Sequence, residues 1–183
     1  GDMKRFFSLA LALGIWAIYP TTSFSQSSQI GVTDLGDVTH SVAFRQVMKM
    51  LGNWEGKLYQ SDGSPVETST NFKLTSNGNT IIETLIEDGV EMVTTYSDKD
   101  GQLVVKHYCA LGTEPMFTVG GMSDISLSLV SDTSPGYMPQ HDNYVESMKW
   151  TLDSVNPTSF RIDSVINMDG EANAQYSQFE KVQ

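Results

Sequence analysis

From Thr80 to Ser97 the chain alternates apolar and polar residues with a period of two, "TIIETLIEDGVEMVTTYS", interrupted only by Asp88-Gly89. That period marks extended strands, and the Asp-Gly pair marks a tight hairpin. The same pattern recurs along most of the chain. "NWEGKLYQ" closes at "SDGSP", Glu67–Thr75 runs into "SNGN", and Thr80–Glu87 turns into Val90–Ser97. "DKDG" then leads into Gln102–Ala110, and further strands are predicted at Asp124–Ser131, Tyr144–Asp153, Ser159–Asn167 and Ala172–Val182. Links of two to four residues pair neighbours antiparallel, as in a meander. A flat sheet of nine or ten such strands leaves edges and one apolar face open, whereas closing it removes both problems. The pattern therefore predicts an all-β, antiparallel up-and-down barrel of about nine or ten strands. A two-sheet sandwich is the alternative, disfavoured by the short links.

One stretch breaks the period. Phe44, Val47, Met48 and Leu51 recur at i, i+3, i+4 and i+7, the spacing of an amphipathic helix. Asp34 or Asp37 can cap it, Val38 extends its stripe, and Gly52 can end it. Its apolar side needs a partner, and the strands that follow are the only candidate. The helix is expected to close one end of the barrel, with Trp54 filling that end and Gly56 giving the first strand room to bend.

Alternation also divides the walls. Met92, Thr94 and Tyr96 oppose Glu91, Val93 and Thr95, while Ile125, Leu127 and Leu129 oppose Ser126 and Ser128. Phe160, Ile162 and Ile166 oppose Arg161 and Asp163, and Tyr144, Glu146, Met148 and Trp150 share a face away from Lys149. The resulting interior mixes aliphatics, methionines, aromatics and hydroxyls, a composition that suits a lined cavity better than a solid core.

The first residues follow different rules. Met3-Lys4-Arg5 precedes the apolar run Phe6–Tyr19, which is too short for a membrane span, and Ser23-Phe24-Ser25 offers small residues for signal-peptidase cleavage. Residues 1–25 are expected to be a cloning remnant (Gly1-Asp2) and a secretory signal, residues 26–183 a single exported domain, periplasmic or extracellular, with no membrane insertion after cleavage. The formal charge of −11 becomes one unit more negative without Lys4, Arg5 and Asp2. This acidity argues against nucleic acid or an anionic membrane as partner. A single cysteine, Cys109, leaves no internal disulfide, so packing must hold the fold.

The spacing Gly52-Asn53-Trp54-Glu55-Gly56 after a short helix resembles the opening of the calycin barrels, which include lipocalins, fatty-acid-binding proteins and nitrobindins. "EMVTTYSDKDGQLVVKHYCALGTEPMF" (Glu91–Phe117) further resembles an uncharacterised bacterial family of lipocalin-like barrels, the likeness running from Gly52 to about Phe117. The resemblance implies a barrel that carries a small apolar molecule; a fold alone implies no specific function. Nitrobindins hold haem through a histidine near the C-terminus, and here no histidine follows His141. Leu58 also stands where that family's first motif has a further glycine, so no cofactor is expected.

Candidate chemistry centres on His107 and Cys109, which at i and i+2 on a strand share a face. Two such groups are too few for a metal site, and no base, nucleophile and orienting group come together in sequence. The plainer reading is a hydrogen-bonded histidine beside a small thiol. If a pocket exists, His107, Cys109, Tyr96, Met92, Trp150 and Met148 are expected to line it. Met116 and Phe117, with Met122, Tyr137 and Met138 from the long loops Leu111–Asp124 and Asp132–Asn143, are expected at its lip. Glu83 fits an inward carboxylate or an outward one equally well. Tyr108 reads as an ordinary strand aromatic, His40 as an exposed residue at the helix start and His141 as a loop histidine. Three functions follow: a carrier of a small apolar molecule, an envelope module with a packed interior, or an acid–base enzyme using an interior carboxylate and His107.

Overall fold

The computed structural model describes residues 39–61, 63–132 and 136–182. The signal segment and the capping candidates Asp34 and Asp37, with Val38, lie outside the described residues. One helix, α1 (Val42–Met48), precedes ten strands: β1 (Gly52–Gln60), β2 (Val66–Thr75), β3 (Thr80–Glu87), β4 (Val90–Lys99), β5 (Gln102–Tyr108), β6 (Met116–Met122), β7 (Ser126–Ser131), β8 (Tyr144–Leu152), β9 (Ser159–Met168) and β10 (Glu171–Lys181). Each strand pairs antiparallel with its sequence neighbours, and β1 pairs with β10 to close a barrel. The expected architecture stands, and the sandwich alternative is excluded.

The turns explain the short links. Asp88-Gly89, Asp100-Gly101 and Asp169-Gly170 each place two consecutive residues at positive φ, the type I′ geometry whose twist matches that of paired strands. The barrel closes where Gly56 lies on β1. A Cβ there would sit 2.0 Å from the backbone oxygen of Gln178, so only glycine lets β1 and β10 approach.

Helix α1 is shorter than its apolar stripe suggested, and its cap is Ser41, whose Oγ accepts from Phe44 N at 3.1 Å. Gly52 does not end the helix. Met50 and Leu51 turn the chain first, and Gly52 opens β1 at φ +118°. Phe44, Val47 and Met50 bury their side chains in the barrel core, and Trp54, 1 % exposed, donates its indole N–H to Met50 O at 2.6 Å. The indole thus welds the helical segment to the first strand. Around it lie Phe160, edge-on at 4.6 Å, and Phe179, stacked on Phe160 at 4.8 Å. Each buried aromatic of this kind contributes roughly 1.5–3 kcal/mol through apolar area removed from water. His40, expected in solvent, is half-buried: it stacks on Phe44 at 4.6 Å and bonds Gly78 O at 2.6 Å.

Two departures from simple alternation matter. Leu111–Asp124, expected as a loop, contains β6, whose Gly120-Gly121 pair carries a bulge in the pairing with β7. The glycines and the solvent-facing methionines hide this strand from its hydropathy. In β8 a second bulge, between Val145 and Ser147, shifts the inward set. Glu146 is exposed, Tyr144 faces outward beneath Tyr137 with the rings stacked at 5.3 Å, and Val145 and Met148 turn inward. The expectation that Tyr144 and Glu146 share a face with Met148 and Trp150 fails because one inserted residue inverts the alternation. Ile125 lies exposed just before β7, apart from the buried Leu127 and Leu129.

Candidate functional site

The barrel interior is divided. Its helix-proximal half is solid with Phe44, Trp54, Phe72, Phe160, Phe179, Leu127 and Leu129. The other half holds a cavity of about 350 Å³. Leu58, Val66, Leu85, Met92, Val145, Met148 and Ile166 form its apolar walls, drawn with the remaining lining residues from every strand except β6 and β7. Val90, Leu111 and Met168 stand exposed at its rim. Below it lies a recess of about 30 Å³, bordered by Glu83, Glu87, Thr94, His107, Trp150, Ser164 and Ser177. Leu85, Glu87, His107, Met148 and Ser164 border both spaces.

The recess floor is polar and almost wholly buried. Strand β3 points Ile81, Glu83, Leu85 and Glu87 inward, and the pairing of β3 with β2 and β4 sets Glu83 opposite Phe72 and Thr94. Glu83, 3 % exposed, accepts from the Tyr96 hydroxyl at Oε2 and from Thr70 Oγ1 at 3.0 Å on Oε1. Thr94 Oγ1 lies 2.9 Å from His107 Nδ1 and also bonds Glu83. A threonine hydroxyl has one proton; given to Glu83, it leaves Thr94 to accept from His107 Nδ1–H and frees Nε2 as an acceptor toward the cavity. Trp150 is 3 % exposed, and its indole N–H has no partner.

Burial dominates the electrostatics. It raises the Glu83 carboxyl above its ordinary range despite the donors that oppose it. Glu87 is pushed up to about 7, first by burial and then by the neighbouring Glu83 charge. Burial lowers His107 to about 4, keeping the imidazole neutral near neutral pH, and raises the Cys109 thiol. Two interior carboxyls that hold protons readily and a neutral imidazole are thus gathered at the base of an apolar chamber.

Of the residues expected at a pocket, the structure brings His107, Cys109, Met92 and Met148 together on the cavity wall. Cys109 sits just beyond the end of β5, yet keeps the face of His107. Trp150 borders the recess, and Tyr96 lies beneath it as the donor to Glu83. Met116 and Phe117 are elsewhere: Met116, 37 % exposed, stands on the outer wall of β6, and Phe117 packs in the solid half. Met122 is likewise exposed on β6, and Met138 in the loop before β8. His107 hydrogen-bonds neither a carboxylate nor Cys109, the geometry the acid–base reading required; Thr94 stands between it and Glu83. Glu87, Val145 and Ser164 were not foreseen. Among the described residues no three His, Cys, Asp or Glu side chains converge as a metal-binding group.

No family model matches the chain, and no curated protein matches it. Solved structures similar to it include a redesigned β-barrel, at 16 % identity and a TM-score of 0.40, the match covering 78 % of this chain and 99 % of that one. Another redesigned barrel, bound to DFHBI, matches at 17 % identity and a TM-score of 0.39 over 75 % of this chain and 99 % of that one.

Proposed function

We propose that the chain is an exported, calycin-like carrier that binds a small, mostly apolar molecule in the open half of its barrel. The observation that carries this reading is the cavity of about 350 Å³, within the usual range of small-molecule sites and lined by side chains from eight strands. A structural module would gain stability by filling that space, as the helix-proximal half is filled. The charged n-region and short apolar run of residues 3–19 support export. Apolar walls supply affinity, and the polar recess orients whatever end of the guest reaches it.

Native mass spectrometry of the protein purified from its own cells tests the reading, with Cys109 as an internal reporter. A bound guest adds roughly a few hundred daltons, the size such a chamber accommodates, and slows alkylation of Cys109 on the cavity wall. A bare mass, together with Cys109 alkylation unchanged by a series of apolar compounds and no saturable binding of any of them, overturns the carrier.

A further inference from the structure

We infer that the cavity takes a hydrophobic organic cation, an amine or quaternary ammonium whose charge is met by the Glu87 carboxylate above the Glu83 recess. This rests on the carrier reading and names its ligand class. The chamber contains acids and no cationic side chain: Glu87 and Asp88 line it, Glu83 lies directly below, none of its lining residues is Lys or Arg, and His107 is neutral. Basic side chains on the neighbouring strands are turned to the outer wall, where Lys57 pairs with Glu67 at 3.1 Å, Lys106 with Glu114 at 2.9 Å and Arg161 with Asp163 at 2.6 Å. An interior carboxyl without a cation is costly inside a weakly polarisable wall, and a guest cation relieves that cost. A fatty carboxylate would bring a third acidic group to the same place. A neutral guest would gain the walls and leave the acids uncompensated.

A second observation is that the recess offers a donor to an acceptor atom elsewhere on the guest, since a cationic ammonium has no lone pair to accept it. Trp150 borders it with a buried indole N–H that nothing accepts, beside the hydroxyls of Ser164 and Ser177 and the neutral His107. The groups that face Glu87 are Glu83 on its own strand, Thr68 opposite on β2, His107 on β5, Cys109 and Asp88 at the rim, Ser164 on β9, and Gln175 and Ser177 on β10. None of them carries positive charge at neutral pH, since burial keeps His107 unprotonated. Glu87 loses its proton near pH 7 in the empty barrel, so a permanent cation binds more tightly as the carboxylate forms.

Three fluorescent probes that share a 2-naphthylmethyl group test this: (2-naphthylmethyl)trimethylammonium, 2-naphthalenemethanol and 2-naphthylacetate, titrated into the intact protein at pH 5.5, 7.0 and 8.5. At pH 8.5 the ammonium binds about tenfold or more tightly than the alcohol, and the acetate more weakly than either. Ammonium affinity falls up to about tenfold per pH unit below 7, while alcohol affinity stays level. Glu87→Gln brings the ammonium to within about threefold of the alcohol, whereas Glu180→Gln, on the outer wall near the helix, keeps the preference. An ammonium no tighter than the alcohol, or a preference that survives Glu87→Gln and ignores pH, overturns the cation assignment and leaves the carrier standing. If none of the three binds, the cation assignment falls, and the native mass and Cys109 alkylation decide the carrier separately. The pH series on the unaltered protein decides the matter even if the variant does not fold.

Discussion

The Tyr96 hydroxyl donates to Glu83 Oε2 in the middle of the barrel, where neither side chain is reached by solvent. Strands β3 and β4 bring them together: Ile81 stands opposite Tyr96, and Glu83 follows two residues along the same inward face. The pair marks the boundary between the solid and hollow halves. Phe72 lies 6.1 Å from the Tyr96 ring and Trp150 5.3 Å, so the ring belongs to the core while its oxygen belongs to the recess.

Tyr96→Phe keeps the ring and removes the donor. The buried Glu83 carboxyl then retains Thr70 and Thr94 as partners, and the protein loses about 1–3 kcal/mol, measured by denaturant unfolding at neutral pH. The loss shrinks in the double variant Tyr96→Phe, Glu83→Gln, because no carboxylate remains to be left short of a donor.

Two opposed contributions overlap in the pH dependence of stability. Glu87 binds protons more tightly folded than unfolded, so its contribution is complete below its ordinary 4.5 and is lost as pH rises toward about 7. His107 binds them less tightly when folded, so its contribution is complete above its ordinary 6.5 and is lost as pH falls toward about 4. Unfolding curves collected from pH 4 to 8 will show, relative to the unaltered protein, Glu87→Gln rising more steeply in stability with pH between about 4.5 and 6.5, and His107→Gln falling across the same range. Unchanged slopes in both variants would show that neither group feels the interior as described.

Gly56→Ala strikes the seam that closes the barrel. Its methyl group would overlap the Gln178 carbonyl, a backbone atom that cannot rotate away, so β1 and β10 must separate. A loss of about 3 kcal/mol or more is expected. Gly121→Ala, where an added Cβ meets nothing within 4 Å and φ is not positive, changes stability by about 0.5 kcal/mol or less. Thermal melts of the two variants side by side make the comparison.

Trp54→Ala removes both the plug and the N–H that holds Met50 O. Loss of so large a buried side chain costs about 3–5 kcal/mol, read by chemical denaturation. Naphthalene-probe affinity at a temperature where the variant remains folded should be unchanged, because the cavity lies at the other end.

The alternation of β4 already placed Met92, Thr94 and Tyr96 on one face, and the hairpin signals placed the type I′ turns, since both are properties of residues adjacent in the chain. Strand β3 was not decidable in the same way. Its two faces, Ile81-Glu83-Leu85-Glu87 and Ile82-Thr84-Ile86, are comparably apolar, and the structure leaves Ile82 and Ile86 at the surface while burying Glu83. Nothing local to β3 forces that choice. It follows from Tyr96, Thr70 and Thr94, supplied by two other strands, which make the carboxyl tolerable inside. Similarly, Met116 looks like a lip residue by hydropathy and stands outside because Phe117, its neighbour, takes the inward position of β6.

The amino-acid order by itself determined the barrel, because period-two strands joined by tight turns have few ways to bury one face without open edges. It also determined the plug, through a helical stripe followed by Gly-Asn-Trp-Glu-Gly. Only the tertiary structure decided where the barrel is hollow and which acids look into the hollow. Those outcomes depend on bulges that invert a strand's faces and on donors brought from distant strands, and neither is carried by the residues on which they act.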